Sequence, residues 1–172
     1  MKNNEKVMMM ESGNSQQPRI KQKKFTYNTA VRWTGDRMAV LSSAHKSDLT
    51  VSSPPEFKGT PGLWTPEDMF VGALETCQLL TFLGLAKRKN ISIISYSSTA
   101  TGDLELVNGG FRFTRVVISP VIMVNDATTE DEVIALAHQA HEHCLVANSS
   151  TAVVEIRPKV VIEEPEVVTP SV

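Results

Sequence analysis

The chain carries two thiols, Cys77 and Cys144, 67 positions apart in a sequence of 172 residues. That spacing excludes a CxxC redox motif, and two cysteines are too few for a disulfide-dense scaffold or a cysteine-rich zinc site. They act either as a pair brought together by the fold or separately, and a buried structural thiol remains an open reading for Cys77. The second cysteine ends the run His138-Gln139-Ala140-His141-Glu142-His143-Cys144. Three histidines and a thiol so close invite a metal, but on a helix His138 and His141 share a face while His143 points elsewhere, and no second ligand cluster accompanies them. The expectation is a solvated or interface face and no metal.

Two helices must position these thiols. Thr65-Pro66-Glu67-Asp68 is a strong helix start, with Thr65 as N-cap, proline at the first helical position and two carboxylates in the first turn. The helix is expected to run to about Lys89, where Lys87, Arg88 and Lys89 suit the negative end of its dipole. It carries Cys77 in its middle. Its apolar residues, among them Phe70, Leu74, Leu79, Phe82 and Leu83, cover nearly the whole circumference, and a helix apolar all round is enclosed on all sides. A chain of this size seldom wraps a helix of about 24 residues, about 36 Å long, unaided. An interlocked homodimer is therefore expected. The second helix begins at Thr128 or Thr129, with Glu132 completing a capping box, and Val133, Leu136, Ala137, Ala140 and Cys144 form one apolar face.

The remaining elements read as strands. Phe25 to Trp33, Arg37 to Ser42 and Asp48 to Ser52 form a meander, and the loop Ser53 to Trp64, rich in proline and glycine, precedes the first helix. Ile91 to Val107 and Phe111 to Val124 form a hairpin through Asn108-Gly109-Gly110, and Thr151 to Glu163 a last strand. The order βββ-α-ββ-α-β is α+β without βαβ alternation, which disfavours a nucleotide-binding parallel sheet. Residues 1–24 read as a basic arm, 25–163 as one domain and 164–172 as an acidic tail. A hydrophobic fraction of 41% and a net charge of -2 place the chain among globular proteins and give no footprint for nucleic acid. The apolar run Met69 to Ala86 is interrupted by Glu75, Thr76, Gln78 and Thr81, so it reads as a core helix, not a membrane span. The Val7-Met8-Met9-Met10 cluster is too short for a secretory signal, and a cytoplasmic location is the expectation.

The segment from Thr65 to Cys77 resembles the motif of the OsmC/Ohr family, osmotically inducible and organic-hydroperoxide-resistance proteins: a Thr-Pro-Glu start, a hydrophobic run and a terminal cysteine. His143-Cys144-Leu145-Val146-Ala147-Asn148 is similar to the family's second cysteine site, and Ser52-Ser53-Pro54-Pro55-Glu56-Phe57-Lys58-Gly59 to its loop before the helix. The likeness runs from about Phe25 to Glu163. It implies an OsmC-like intertwined dimer in which antiparallel sheets wrap long central helices.

The resemblance also implies a thiol peroxidase that reduces organic hydroperoxides to alcohols without a bound metal or flavin. Cys77 would be the peroxidatic nucleophile, Cys144 the resolving cysteine and Glu67 the carboxylate that orients an arginine. The reductant would be an external dithiol, typically a lipoyl group on a protein. A buried thiol is scarcely ionised at neutral pH, so a guanidinium beside it would stabilise the thiolate. Trp33-Thr34-Gly35-Asp36-Arg37 resembles the family's first hairpin and makes Arg37 the candidate, with Arg32 next and Lys58 a possible point charge. The chain departs from the family at Leu145, where many relatives have proline. Ten helical residues rise about 15 Å, too far for Glu67 to touch Cys77. Either the helix breaks between them or one site draws on both subunits, and the shared site is the expectation. The competing function is a lipid-binding, acyl-binding or redox-sensing stress protein of the same fold.

Overall fold

The computed structural model describes residues 23–125 and 128–163. The expected acidic tail, and the basic arm apart from Lys23 and Lys24, lie outside these residues. The first sheet is a meander of β1 (Ala30–Gly35), β2 (Met38–Ser42) and β3 (Leu49–Ser52), all antiparallel. Its first turn needs positive φ at Gly35 and Asp36, and the Trp33 indole closes it on the Asp36 carbonyl at 3.0 Å. β1 begins at Ala30, so Phe25 to Thr29 are not strand as expected. Nothing in their pattern had marked the difference, because no second strand lies opposite them. Val31 and Trp33 project unburied from β1, 70% and 73% exposed.

Helix α1 runs unbroken over Pro66–Arg88. Thr65 and Asp68 form a reciprocal capping box, each side chain accepting the other's backbone N–H at 3.0–3.1 Å. At the far end Asn90 takes positive φ and Ile91 N–H returns to the Ala86 carbonyl, which stops the helix. One stripe, Leu74, Gln78, Phe82 and Ala86, is buried, but Leu80 and Leu83 on the other side are 63% and 38% exposed. A single protomer thus covers one face of α1 and leaves the expected enclosure open on the other. The helix is long and apolar enough to cross a membrane by length and composition, yet its buried stripe packs on the second sheet and second helix of its own chain.

The second sheet is built on the long hairpin β4 (Ile93–Val107) and β5 (Gly110–Asn125), turned by Asn108 and Gly109 with positive φ. Helix α2 (Glu130–Glu142), capped by Thr129 accepting the Glu132 N–H at 3.3 Å, then crosses over. The chain returns as β6 (Val153–Ile156) and β7 (Lys159–Glu163), which pair parallel with β5, end to end along its free edge. The expected single last strand is split at Pro158, which has no N–H to give the ladder. The expected all-antiparallel sheets are corrected on the same edge: β5-α2-β6 is one βαβ crossover in an otherwise antiparallel α+β fold. Val133, Leu136, Ala137 and Ala140 of α2 pack with Phe82, Ala86, Ile122 and Val124 in one core cluster. Leu74, Val116, Ile118 and Ile156 form the other.

Candidate active site

Cys77 sits half-buried at the middle of α1, with Thr81 one turn further on the same side. Gln78 beside it is 1% exposed and donates its amide to the Ala137 carbonyl of α2 at 2.8 Å, which locks the two helices together next to the thiol. Its Oε1 is buried without a partner.

Cys144 is not on the second helix as expected. α2 ends at Glu142 with His143 as C-cap, and Cys144 opens a tight turn that runs through Ser150. The turn is pinned to the helix end by Cys144 N–H on the His141 carbonyl at 3.0 Å and by the Asn148 amide on the Glu142 carbonyl at 2.9 Å. Cys144 is 1% exposed and accepts the Ala147 N–H at its sulfur at 3.4 Å. The turn delivers it to the neighbourhood of Cys77, close enough for the two thiols to influence each other's acidity, and both are free.

This contact splits their acidities. Burial pushes the Cys77 thiol up, but hydrogen bonds from the Cys144 S–H, the Val146 N–H, the Thr81 hydroxyl and the Leu145 N–H outweigh it, and Cys77 stands below the ordinary cysteine value. Cys144 is pushed up to about 11 by burial and by giving its proton to Cys77, against the amides of Ala147 and Val146. A thiolate acceptor beside a protonated donor is the arrangement that attack followed by resolution requires.

The other expected site residues lie elsewhere in the protomer. Because α1 is unbroken, Glu67 stands about 15 Å along the helix and about 80° around it from Cys77. Its Oε2 is buried with no partner. Glu67 lines a cavity of about 970 Å³ walled by Phe57, Trp64, Val71, Phe111 and Phe113, and Cys77 is not part of that wall. Arg37, on the β1–β2 turn, shares a second cleft of about 680 Å³ with Lys58, Gly59 and Thr60. Arg37, Lys58 and Arg32 of β1 are exposed, and none of them acts on Cys77. One protomer therefore joins Cys77 to Cys144 and brings neither Glu67 nor a guanidinium to them. Among the described residues no three His, Cys, Asp or Glu side chains come together to hold a metal; His138 and His143 are exposed and His141 is half-buried.

Sequence reasoning had not singled out Thr81, Gln78 or the Leu145 and Val146 amides. Thr81 was readable from its i+4 spacing to Cys77, whereas the amides depend on how the turn after α2 folds.

A family model described as OsmC-like protein matches residues 59–159. The Bacillus subtilis (strain 168) "Uncharacterized protein YmaD" is 26% identical over 131 residues, 73% of this chain and 86% of its own length. Among solved structures, an OsmC-like protein from Vibrio cholerae superposes with a TM-score of 0.72 at 24% identity, covering 80% of this chain and all of its own. An organic hydroperoxide resistance protein from Elizabethkingia anophelis, with bound thiocyanate, superposes with a TM-score of 0.67 at 21% identity, over 83% of this chain and 99% of its own. At these identities the structural likeness is one of fold.

Proposed function

The chain belongs to the OsmC-like protein family, and from that premise we propose that it is a thiol-dependent peroxidase that reduces organic hydroperoxides. The observation that carries the reading is the pair of free thiols that the fold brings together from α1 and the turn after α2, Cys77 lowered and Cys144 raised to about 11 by their coupling. The Cys77 thiolate attacks the terminal oxygen of ROOH, the O–O bond breaks, and the alkoxide leaves as ROH after taking a proton. Cys77 becomes a sulfenic acid. The Cys144 thiol then attacks the Cys77 sulfur, water leaves, and a disulfide forms. An external dithiol, of the lipoyl type that the family resemblance suggests, gives two electrons and two protons to restore both thiols. The name of the Elizabethkingia relative supports an organic over an inorganic substrate.

The active unit in this reading is a cytoplasmic homodimer with shared sites. The unbroken helix leaves Glu67 far from the Cys77 of its own chain, and the exposed side of α1, with Leu80 and Leu83, is a surface that a second copy would cover. Glu67 would there orient Arg37 of the adjoining chain toward substrate, since a buried carboxylate oxygen without a partner calls for a cation. The competing reading, a non-catalytic lipid- or acyl-binding protein, draws on the aromatic cavity of about 970 Å³.

Thiol counting separates the two. The reduced protein is mixed with cumene hydroperoxide or hydrogen peroxide and its free thiols are followed in time. Rapid loss of both thiols with the organic peroxide, and slower loss with hydrogen peroxide, is expected of the peroxidase. Slow and equal loss with both would favour the binding protein.

A further inference from the structure

We propose that Gln78 is a positioning residue for the thiol pair: its hydrogen bond to the Ala137 carbonyl holds α2 in the register on α1 that brings Cys144 to Cys77, at a cost to stability that an apolar side chain would avoid. This rests on Cys77 and Cys144 being the pair that the proposed function joins in a disulfide, and it names what keeps them within reach of each other.

The other contacts between the two helices are apolar. Phe82 and Ala86 of α1 meet Val133, Leu136, Ala137 and Ala140 of α2 in one core cluster. Burial of this kind is non-directional, and small side chains such as Ala137 and Ala140 offer little to stop one helix sliding or turning on the other. The Gln78 Nε2 donating to the Ala137 carbonyl at 2.8 Å is the one hydrogen bond between α1 and α2 among the described residues.

Its place gives it leverage on both thiols. On α1 it is the residue that follows Cys77. On α2 it grips Ala137, and His141 one turn further on accepts the Cys144 N–H at 3.0 Å. The Asn148 amide on the Glu142 carbonyl at 2.9 Å ties the rest of the turn to the same helix end. A displacement of α2 along α1 therefore carries Cys144 with it, away from a thiol that stays on α1.

Stability does not account for a glutamine here. Gln78 lies on the buried stripe of α1 between Leu74, which belongs to one core cluster, and Phe82, which belongs to the other. It is 1% exposed, and its Oε1 is buried with no partner. A buried acceptor left unmet costs free energy, and an apolar side chain of the same length would fill the space without that cost. A polar group that the core disfavours, and that reaches the next helix through one directed bond beside a thiol, marks a functional placement.

The test is the equilibrium of the protein with a dithiothreitol redox couple, read as the ratio of disulfide to dithiol protein. Cys77 and Cys144 give two electrons and two protons to the dithiothreitol disulfide, so that one S–S bond forms as the other opens. Once made, the protein disulfide holds the register by itself. Loss of the Gln78 bond thus loosens the reduced state alone and makes the disulfide harder to form. Gln78→Met and Gln78→Leu are expected to lower the equilibrium constant about fivefold, the scale of one neutral hydrogen bond, while the Tm of the reduced protein stays at or above the parent's. Val51→Ala, a truncation of a buried side chain in the first sheet outside both clusters, should lower Tm and leave the constant unchanged. The proposal is overturned if the Gln78 variants form the disulfide as readily as their parent. It is equally overturned if they fail to fold, or lose Tm and disulfide together as Val51→Ala does, because Gln78 would then be a stabilising core residue. No peroxide enters this equilibrium. A protein that shifts as expected yet leaves cumene hydroperoxide intact keeps Gln78 in its positioning role and loses the peroxidase reading, so the two failures are distinct.

Discussion

Selective alkylation is the most direct consequence of the coupled thiols, and its size follows from their acidities. Cys144, at about 11, is ionised at pH 7 in roughly one molecule in ten thousand. Cys77 lies below 9.0, so more than about one in a hundred is thiolate at the same pH. The ratio of reactive species therefore exceeds about a hundred. A less acidic thiolate is intrinsically the better nucleophile, by roughly eightfold across this interval, and that offsets part of the difference. A net preference of at least about tenfold for Cys77 remains, and the near-complete burial of Cys144 adds to it. The assay is a limiting dose of iodoacetamide at pH 7 on the reduced protein, followed by digestion and mass spectrometry of the two cysteine peptides. One label on Cys77 is expected before any appears on Cys144. In Cys77→Ser, Cys144 loses the partner that holds its proton and should label faster than in the parent, though still more slowly than an exposed thiol. Comparable labelling of both cysteines in the parent, or Cys144 first, would refute the coupling.

On the proposed function, Glu67→Gln should lower kcat/KM for an organic hydroperoxide by about ten- to a hundredfold without changing the labelling of Cys77; an unaltered rate would remove Glu67 from the site. Leu80→Lys puts a charge on the uncovered side of α1, and light scattering should show a shift from dimer to monomer together with loss of turnover. Gly59→Ala should destabilise the loop before α1, because a Cβ there would sit 1.6 Å from the Ser53 carbonyl oxygen; an unchanged Tm would show that the loop yields. Stability should also decline in alkali. Cys144 has a folded pKa raised above its unfolded value, so its contribution is complete below pH 9 and is lost as the pH rises through about 11. Cys144→Ala should flatten that limb in a pH series of thermal melts, leaving the share of Tyr96, which burial raises to about 12.

What the sequence made legible was whatever is encoded locally. Thr65-Pro66 and the Thr65–Asp68 box start α1, Asn108 and Gly109 turn the hairpin, and Val133, Leu136, Ala137 and Ala140 face α2 inward, each because a cap, a positive φ or a spacing of three to four leaves a mark. Pro158 also leaves such a mark, and the expected strand ran across it. The parallel pairing of β6 and β7 with β5 is different in kind. Strand direction in a sheet is set by where the crossover helix lands, and residues 153–163 alone carry no sign of it. The end of α2 was blurred for a related reason: His143 is neither glycine nor asparagine, so nothing announced that Cys144 leaves the helix.

The displacement of Cys144 from α2 has a chemical consequence. On the helix, its N–H and those after it would each be spent on a carbonyl four residues back, and no amide would be left for sulfur. Two residues beyond the helix end, the carbonyls of residues 144–147 close on their own downstream chain, which leaves the Ala147 N–H for the Cys144 sulfur. The same step places Cys144 against Cys77 with its proton already shared, so that a disulfide needs a sulfur to swing and not a helix to unwind. On the proposed function, the meeting of Cys144 with Cys77 is thus contained in a single chain. What that reading lacks within one chain is substrate handling, because Glu67 lies far from Cys77 along a helix that does not break and Arg37 lines a separate cleft on the β1–β2 turn. That division argues for a second copy as the source of the carboxylate and guanidinium. It also predicts that dissociating the protein should abolish turnover while leaving Cys77 as readily alkylated as before.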